Sequence, residues 1–447
     1  MLQIWPAFIA NAVKRDMYKN RHVLFGLLFF LGSSAVNAAT SEKLLTLSEA
    51  IRFSLAENPS LKSYPLRDTA ILGQLQTASL KPAYELGIDA ENFAGTGDFT
   101  GVSGIELTVS LSSTIELGGK REARAGMYSQ SRLHLEAQQQ VESLELLGEV
   151  TRRYIDVLAA QQRVVLASEA AELAKMTLRI VKKRAKAGST PDAEVKRAQA
   201  AYSQSQLTLS SEQHQLNYLK IALAALWGER TLSFAAVSGD LFNFGQDVDF
   251  ESLYAKIKKN PAIEVFAAQE RLKDAEVRLA KTESSSDINW SVGVRRFQDT
   301  SDTAITAGFS MPLFSSKRNS GAVTTALASR NEVFVQRDVA LLKMHTQLFR
   351  AFSNRQQAIV SAQKLQSEIV PALEDALNET QEAYERGRYS YLDYVSARQE
   401  LLRARQTLIE SAAAALTYGA DIEQLTAEPL SASQYPAPTI SYSNFKD

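Results

Sequence analysis

From about Lys120 to Lys186 the chain has no proline, and its only internal glycines are Gly126 and Gly148. Ala, Leu, Glu, Gln and Arg dominate this run, and all are good helix formers. Leu144, Leu147, Tyr154 and Leu158 recur at three- and four-residue spacing, the signature of a coiled-coil seam. At about 1.5 Å per residue, a helix over this run is roughly 100 Å long. Globular helices average only about 11–12 residues. The run breaks at Gly188, Ser189, Thr190 and Pro191, where Thr190 suits an N-cap and Pro191 a first helical residue. A helix then returns to about Trp227 and Gly228, which makes an extended helical hairpin.

The same plan occurs twice. A second helical run follows Lys317, with Leu342, His345, Phe349, Phe352 and Ile359 on one seam, and breaks at Gly387 before a helix returns to about Thr417. Each long run is preceded by alternation. Ile105, Leu107, Val109 and Leu111 alternate with Glu106, Thr108, Ser110 and Ser112. Ile305, Ala307, Phe309, Met311 and Leu313 alternate with Thr306, Gly308 and Ser310. Period two marks strands with one apolar face. A half-buried soluble strand and a membrane-barrel strand read alike on this evidence. Tyr84, Leu86, Ile88 and Ala90 predict a partner for the first strand, and Ile288, Trp290, Val292 and Val294 one for the second, so each half carries a β-hairpin. A short amphipathic helix ending at Asn58-Pro59 opens the first half, and Asn260-Pro261 sits at the matching place in the second. The period is near 200 residues, and the spans Lys120–Gly188 and Lys317–Gly387 are nearly equal.

These patterns predict N-terminal helices over 39–83, a first β-hairpin over 84–117 and a first long helical hairpin over 118–230. A linker with helices covers 231–286, a second β-hairpin 287–314, a second long helical hairpin 315–427 and an irregular tail 428–447. Residues 1–38 read as an export signal: Lys19 and Arg21 precede the apolar stretch Val23–Leu31, and Val36, Asn37 and Ala38 suit a cleavage site. Met17 fits as the start of that signal. The apolar stretch is well short of the ~20 residues of a spanning helix. Removing 1–38 takes away Lys14, Arg15, Lys19, Arg21 and Asp16, so the formal charge of −1 becomes about −4. That balance argues against nucleic acid as a partner. The chain has no cysteine, hence no disulfide or thiolate metal site.

Two hairpins supply four strands, and a membrane barrel needs about eight. Open strand edges are not tolerated in lipid. If the strands cross a membrane, several copies must pool them, and three copies would give about twelve strands. The export signal, the Leu47-Ser48-Glu49-Ala50-Ile51 opening with Glu57-Asn58-Pro59, the duplication and the glycine-containing reversals resemble the TolC-like outer-membrane efflux proteins. Within that family, the segment Thr114–Arg124, the stretch Val294–Phe297, the run Ala307–Phe314 and the turn Arg318–Gly321 resemble the CzcC-like heavy-metal branch. The resemblance implies a mainly α chain with a small β part. Long antiparallel helical hairpins would form an α-barrel, and four strands would join a trimeric 12-stranded outer-membrane β-barrel. It implies a homotrimer partnered by outer-membrane lipid, a periplasmic adaptor (membrane fusion) protein and a proton-driven inner-membrane efflux pump. The chain would be a passive exit duct, with no catalysis and no cofactor, and with heavy-metal cations as its cargo.

The same resemblance makes the reversals the periplasmic tip. Glu194 and Asp393 stand six residues after Gly188 and Gly387, and with Arg386 and Arg388 they are candidates for the tip or gate. Ser396 stands where some members carry a further acid. Asp393 also has capping-box spacing from Ser390, so gate and cap are both open and compatible. Arg184, Lys186, Gly188 and Gly387 are candidate adaptor contacts, and the flanking cations could equally hold a closed tip or be solvated. Gly118, Gly119, Lys120 and Arg121, with Lys317 and Arg318, are expected at strand-to-helix turns near the inner membrane rim. Gly118-Gly119-Lys120 lacks the other residues of a phosphate loop. His134, His214 and His345 form no metal-binding spacing and read as helix-surface or seam residues. Two rivals remain: an exit duct for drugs or type I secreted proteins, and an exported coiled-coil scaffold or adhesin.

Overall fold

The computed structural model describes residues 44–245 and 249–430. The expected signal over 1–38 and residues 431–447 of the expected tail lie outside them. The elements in order are β1 (Leu44–Leu45), α1 (Leu47–Glu57), α2 (Tyr64–Ala78), β2 (Glu85–Glu91), β3 (Glu106–Ile115), α3 (Lys120–Lys186) and α4 (Asp192–Ala224). They continue with β4 (Ala236–Val237), α5 (Phe250–Ile257), α6 (Pro261–Thr282), β5 (Ile288–Phe297), β6 (Thr303–Ser310), α7 (Ser315–Arg318), α8 (Ser320–Lys364), α9 (Val370–Glu385) and α10 (Tyr391–Thr426). Two compact units emerge. Of the described residues, one gathers 44–62, 140–245, 249–261 and 342–430; the other gathers Ser63–Gln139 and Ala262–Leu341.

The second unit holds a four-stranded antiparallel sheet in the order β2-β3-β5-β6. The two hairpins therefore join through β3 and β5, across the duplication. Their register stacks apolar residues in rows. Ile88, Val109, Val294 and Ile305 form one row, and Leu86, Leu111, Val292 and Ala307 the next. This face is uncovered: Ile305 is 82 % and Phe309 84 % exposed. A contiguous apolar face of that kind is rare on soluble monomers. The opposite face is polar and partly covered. There Arg295 donates to Thr108 Oγ1 at 2.9 Å and Glu106 at 3.0 Å, and pairs with Glu91 at 2.9 Å. The outer edges of β2 and β6 pair with no other strand among the described residues. The alternation after Ser310 does not extend β6, because Pro312 cannot donate to a ladder.

The first unit is helical and has two cores. In one, Val150, Tyr154, Val157 and Leu158 of α3 follow a helical stripe and pack with Leu223, Trp227, Phe234 and Ala412. Burying a leucine such as Leu158 stabilises by about 1.5–3 kcal/mol. The Tyr154 hydroxyl donates to Leu45 O at 2.8 Å, beside the short parallel pair β1–β4. The duplicated Asn-Pro pairs do equivalent work at helix ends. Asn58 Nδ2 donates to Leu226 O at 2.8 Å, and Asn260 Nδ2 to Gln424 O at 2.8 Å and Leu425 O at 3.0 Å. Each asparagine thus satisfies the orphan carbonyls where its own repeat's returning helix stops.

Two expectations about the helices need correction. The run after Lys317 is not one helix: α7 stops at Arg318, α8 starts at Ser320, and a π-turn over Leu365–Ile369 separates α8 from α9. Pro371 is the cause. It has no N–H for the carbonyl four residues back, and its ring clashes there, so the helix widens by one residue per turn just upstream. At the first reversal the N-cap is Pro191, with ψ 147, and α4 starts at Asp192. Thr190 is buried rather than capping: the extended cap position falls one residue later, on Pro191, which has no side-chain oxygen to offer the helix.

Candidate functional site

The two helix reversals are built by one local rule. At the first, Gly188 has φ +70; its N–H donates to Ala185 O at 3.0 Å, and the Ser189 N–H to Arg184 O at 3.0 Å. At the second, Gly387 has φ +77; its N–H donates to Tyr384 O at 3.0 Å, and the Arg388 N–H to Ala383 O at 2.8 Å. Both are complete Schellman caps, and both need a residue tolerant of left-handed backbone. The exits differ. Helix α4 leaves from Pro191 without a side-chain cap, whereas α10 opens on a full capping box. Ser390 N and Oγ donate to Asp393 Oδ2 at 3.0 and 2.7 Å, and the Asp393 N–H donates back to Ser390 Oγ at 3.3 Å. The Ser390 hydroxyl, then its backbone N–H, hold the Asp393 carboxyl below its usual value. The expected capping geometry is therefore present.

Aromatic residues pack the second reversal, and a side chain of the first closes on them. Tyr384 stacks on Tyr394 with ring centroids 5.7 Å apart and planes 4° apart, and Tyr391 lies 6.3 Å from Tyr384. Arg184 comes from the first reversal: its guanidinium lies 4.5 Å from the Tyr384 ring centroid and donates to the Tyr384 carbonyl. Below them Arg398, only 6 % exposed, donates to Thr177 Oγ1 at 3.3 Å. Burial pushes the Tyr384 and Tyr391 hydroxyls up, so both stay neutral. Of the residues expected here, Arg184 points into this cluster, whereas Lys186, Gly188, Arg386, Gly387, Arg388 and Asp393 are exposed. Arg386 pairs with Glu382 at 2.9 Å one turn back. Glu194 is half-buried in the first turn of α4. The tyrosines were missed by sequence reasoning; their clustering around Gly387 was the available signal.

The strand-to-helix turns also differ between repeats. Gly118 and Gly119 carry φ +75 and +73. A Cβ on Gly118 would sit 2.2 Å from Ser285 Oγ, so only glycine fits. Lys120 is 5 % exposed and reaches Asp287 at 2.7 Å and Glu283 at 3.6 Å, while Arg124 grips Glu116 bidentately. Arg121 pairs with Glu122 at 2.8 Å. In the second turn Lys317 and Arg318 are exposed, and Asn319 anchors α8 to Ala280 O. Among the described residues, no three His, Asp or Glu side chains gather as a metal site, and no helix is long and apolar enough to cross a membrane.

Comparison with known proteins adds four findings. The family model described as outer membrane efflux protein matches residues 54–229 and 253–428, one match per repeat. The cobalt-zinc-cadmium resistance protein CzcC of Cupriavidus metallidurans is 25 % identical over 361 residues, covering 81 % of this chain and 85 % of the relative. The nickel-cobalt-cadmium resistance protein NccC of Alcaligenes xylosoxydans xylosoxydans is 25 % identical over 232 residues, covering 52 % of each. Among solved structures, CusC, described as forming a transmembrane channel, superposes with a TM-score of 0.68 at 17 % identity, over 85 % of this chain and 91 % of that one.

Proposed function

The chain belongs to the outer membrane efflux protein family, and from that footing we propose that it is the exit duct of a tripartite pump that expels heavy-metal cations. The observation that carries this reading is the sheet: one apolar face uncovered, and both edge strands unpaired among the described residues. Lipid satisfies the face, and further copies satisfy the edges. Three copies, β2 of each beside β6 of the next, would close a barrel of about twelve strands with its polar face inward. Glu85, Asp89, Glu91 and Glu106 outnumber Arg295 on that inner face. The field of such a lumen attracts cations, and a hydrated ion can cross it without shedding its water.

The duct does no chemistry of its own. Energy and substrate choice lie with a proton-driven inner-membrane pump, and a periplasmic adaptor contacts the reversals through Lys186, Arg388 and their neighbours. Asp393 and Glu194 line the tip. The metal cargo is supported by the resistance functions named for CzcC and NccC. Cells that lack this chain but keep their pump should accumulate zinc, cobalt or cadmium when challenged, and re-expression should restore the lower content. Unchanged metal content together with new sensitivity to organic toxins would reject the metal cargo and favour a drug duct.

A further inference from the structure

We propose that the corner between β6 and α7 is a docking site for an anionic phospholipid leaflet; the proposal rests on the membrane reading of the sheet. The corner continues the sheet's uncovered face. Ile305 and Phe309 lie on that face, and beyond the end of the strand the chain stays apolar and exposed at Met311 and Leu313. Leu313 is 66 % exposed and Phe314 83 %. Phe314 also has φ +62, in the left-handed region where a bulky residue is out of place. At the first junction the left-handed positions are glycines, Gly118 and Gly119. A phenylalanine held there, with its ring in the open, serves neither the turn nor the core. Its ring suits the boundary between headgroups and acyl chains.

Two further observations fix the kind of partner. Lys317 and Arg318 follow at once, exposed, and neither forms an ion pair among the described residues. Their counterpart Lys120 is instead buried between Asp287 and Glu283. The basic pair of the second junction is thus free for an external phosphate. On the neighbouring strands, at the same end of the sheet, Trp290 pairs with Phe309 and packs edge-on against Tyr84 at 6.3 Å. That row has the make-up of an aromatic girdle, and Phe314 follows five residues after Phe309 along the chain. Apolar wedge, girdle and adjacent cations together match a phospholipid surface, with anionic headgroups preferred by about five-fold per cation.

The chain has no cysteine, so single cysteines report cleanly. The full-length protein is reconstituted in phosphatidylcholine vesicles with a polarity-sensitive dye at Phe314→Cys, at Ile305→Cys on the sheet face, or at Thr208→Cys on α4. Quenching is read with phosphatidylcholine or phosphatidylglycerol spin-labelled near the headgroup. The dye at 314 should be quenched, more by phosphatidylglycerol than by phosphatidylcholine, and the dye at 208 should not. Lys317→Gln with Arg318→Gln should abolish the difference between the two lipids. A silent 314 with a quenched 305 overturns the docking site and leaves the membrane sheet standing. Silence at both overturns the membrane reading itself. Equal quenching of 314 by the two lipids with Lys317 and Arg318 intact overturns the headgroup preference.

Discussion

The guanidinium of Arg184 lies over the ring of Tyr384 at 4.5 Å and donates to the same residue's carbonyl. One side chain of the first repeat thereby closes on the reversal of the second. A cation–π contact contributes ~0.5–2 kcal/mol and the hydrogen bond about 1 kcal/mol. Arg184→Ala should therefore loosen the reversals without unfolding the chain. Faster tryptic cleavage at Arg386 and Arg388, and a larger conductance, would report it. Arg184→Lys should recover little, because a lysine cannot stack and fork at once.

Asp393 caps α10, and a gate role is separable from that. Asp393→Asn keeps an acceptor for Ser390 but removes the charge, whereas Ser390→Ala removes the cap and keeps the charge. Cation block of the channel should fall in Asp393→Asn and persist in Ser390→Ala. If both behave as the unsubstituted protein in bilayer recordings, Asp393 is a cap only. The carboxyl sits below its ordinary 3.8 in the folded chain. The cap is thus fully present above that value and is lost as the pH falls through the lowered one. Opening of α10's first turn at strongly acid pH, followed by hydrogen exchange, checks the sign.

The two asparagines of the Asn-Pro pairs should rank by burial. Asn260 is 1 % exposed and serves two carbonyls, while Asn58 is half-buried and serves one. Asn260→Ala should cost ~1–3 kcal/mol by stranding buried groups, and Asn58→Ala less. Thermal melting of the detergent-solubilised protein gives the order.

Gly118 and Gly119 have the same backbone but different surroundings. Gly118→Ala drives a Cβ to 2.2 Å from Ser285 Oγ, while at Gly119 the nearest atom is Glu122 Oε2 at 3.9 Å. The second substitution should cost only left-handed strain, ~1–2 kcal/mol. The first adds a clash at the root of both hairpins and should lower the yield of folded protein much further.

Much of this was legible in the residues because the signals are local. The period-two stripe from Ile105 to Leu111 stays clean because only one face of the sheet is apolar. The absence of proline between Lys120 and Lys186 leaves α3 unbroken. What was not legible depends on partners far along the chain. Pairing of β3 with β5 joins strands from different repeats, and alternation alone does not choose a neighbour. Tyr384, Tyr391 and Tyr394 become a cluster only when Arg184 is brought to them. The π-turn before Pro371 had a local signal, which a seam read from Leu342 to Ile359 passes over.

The central claim is that four strands per chain become a barrel through copies of the chain. The most direct measurement is the mass of the detergent-purified protein together with its single-channel conductance in planar bilayers. A trimer that inserts and passes a cation-selective current is the predicted result. A monomer that stays soluble and never conducts would contradict the account and return the chain to the rank of exported helical scaffolds.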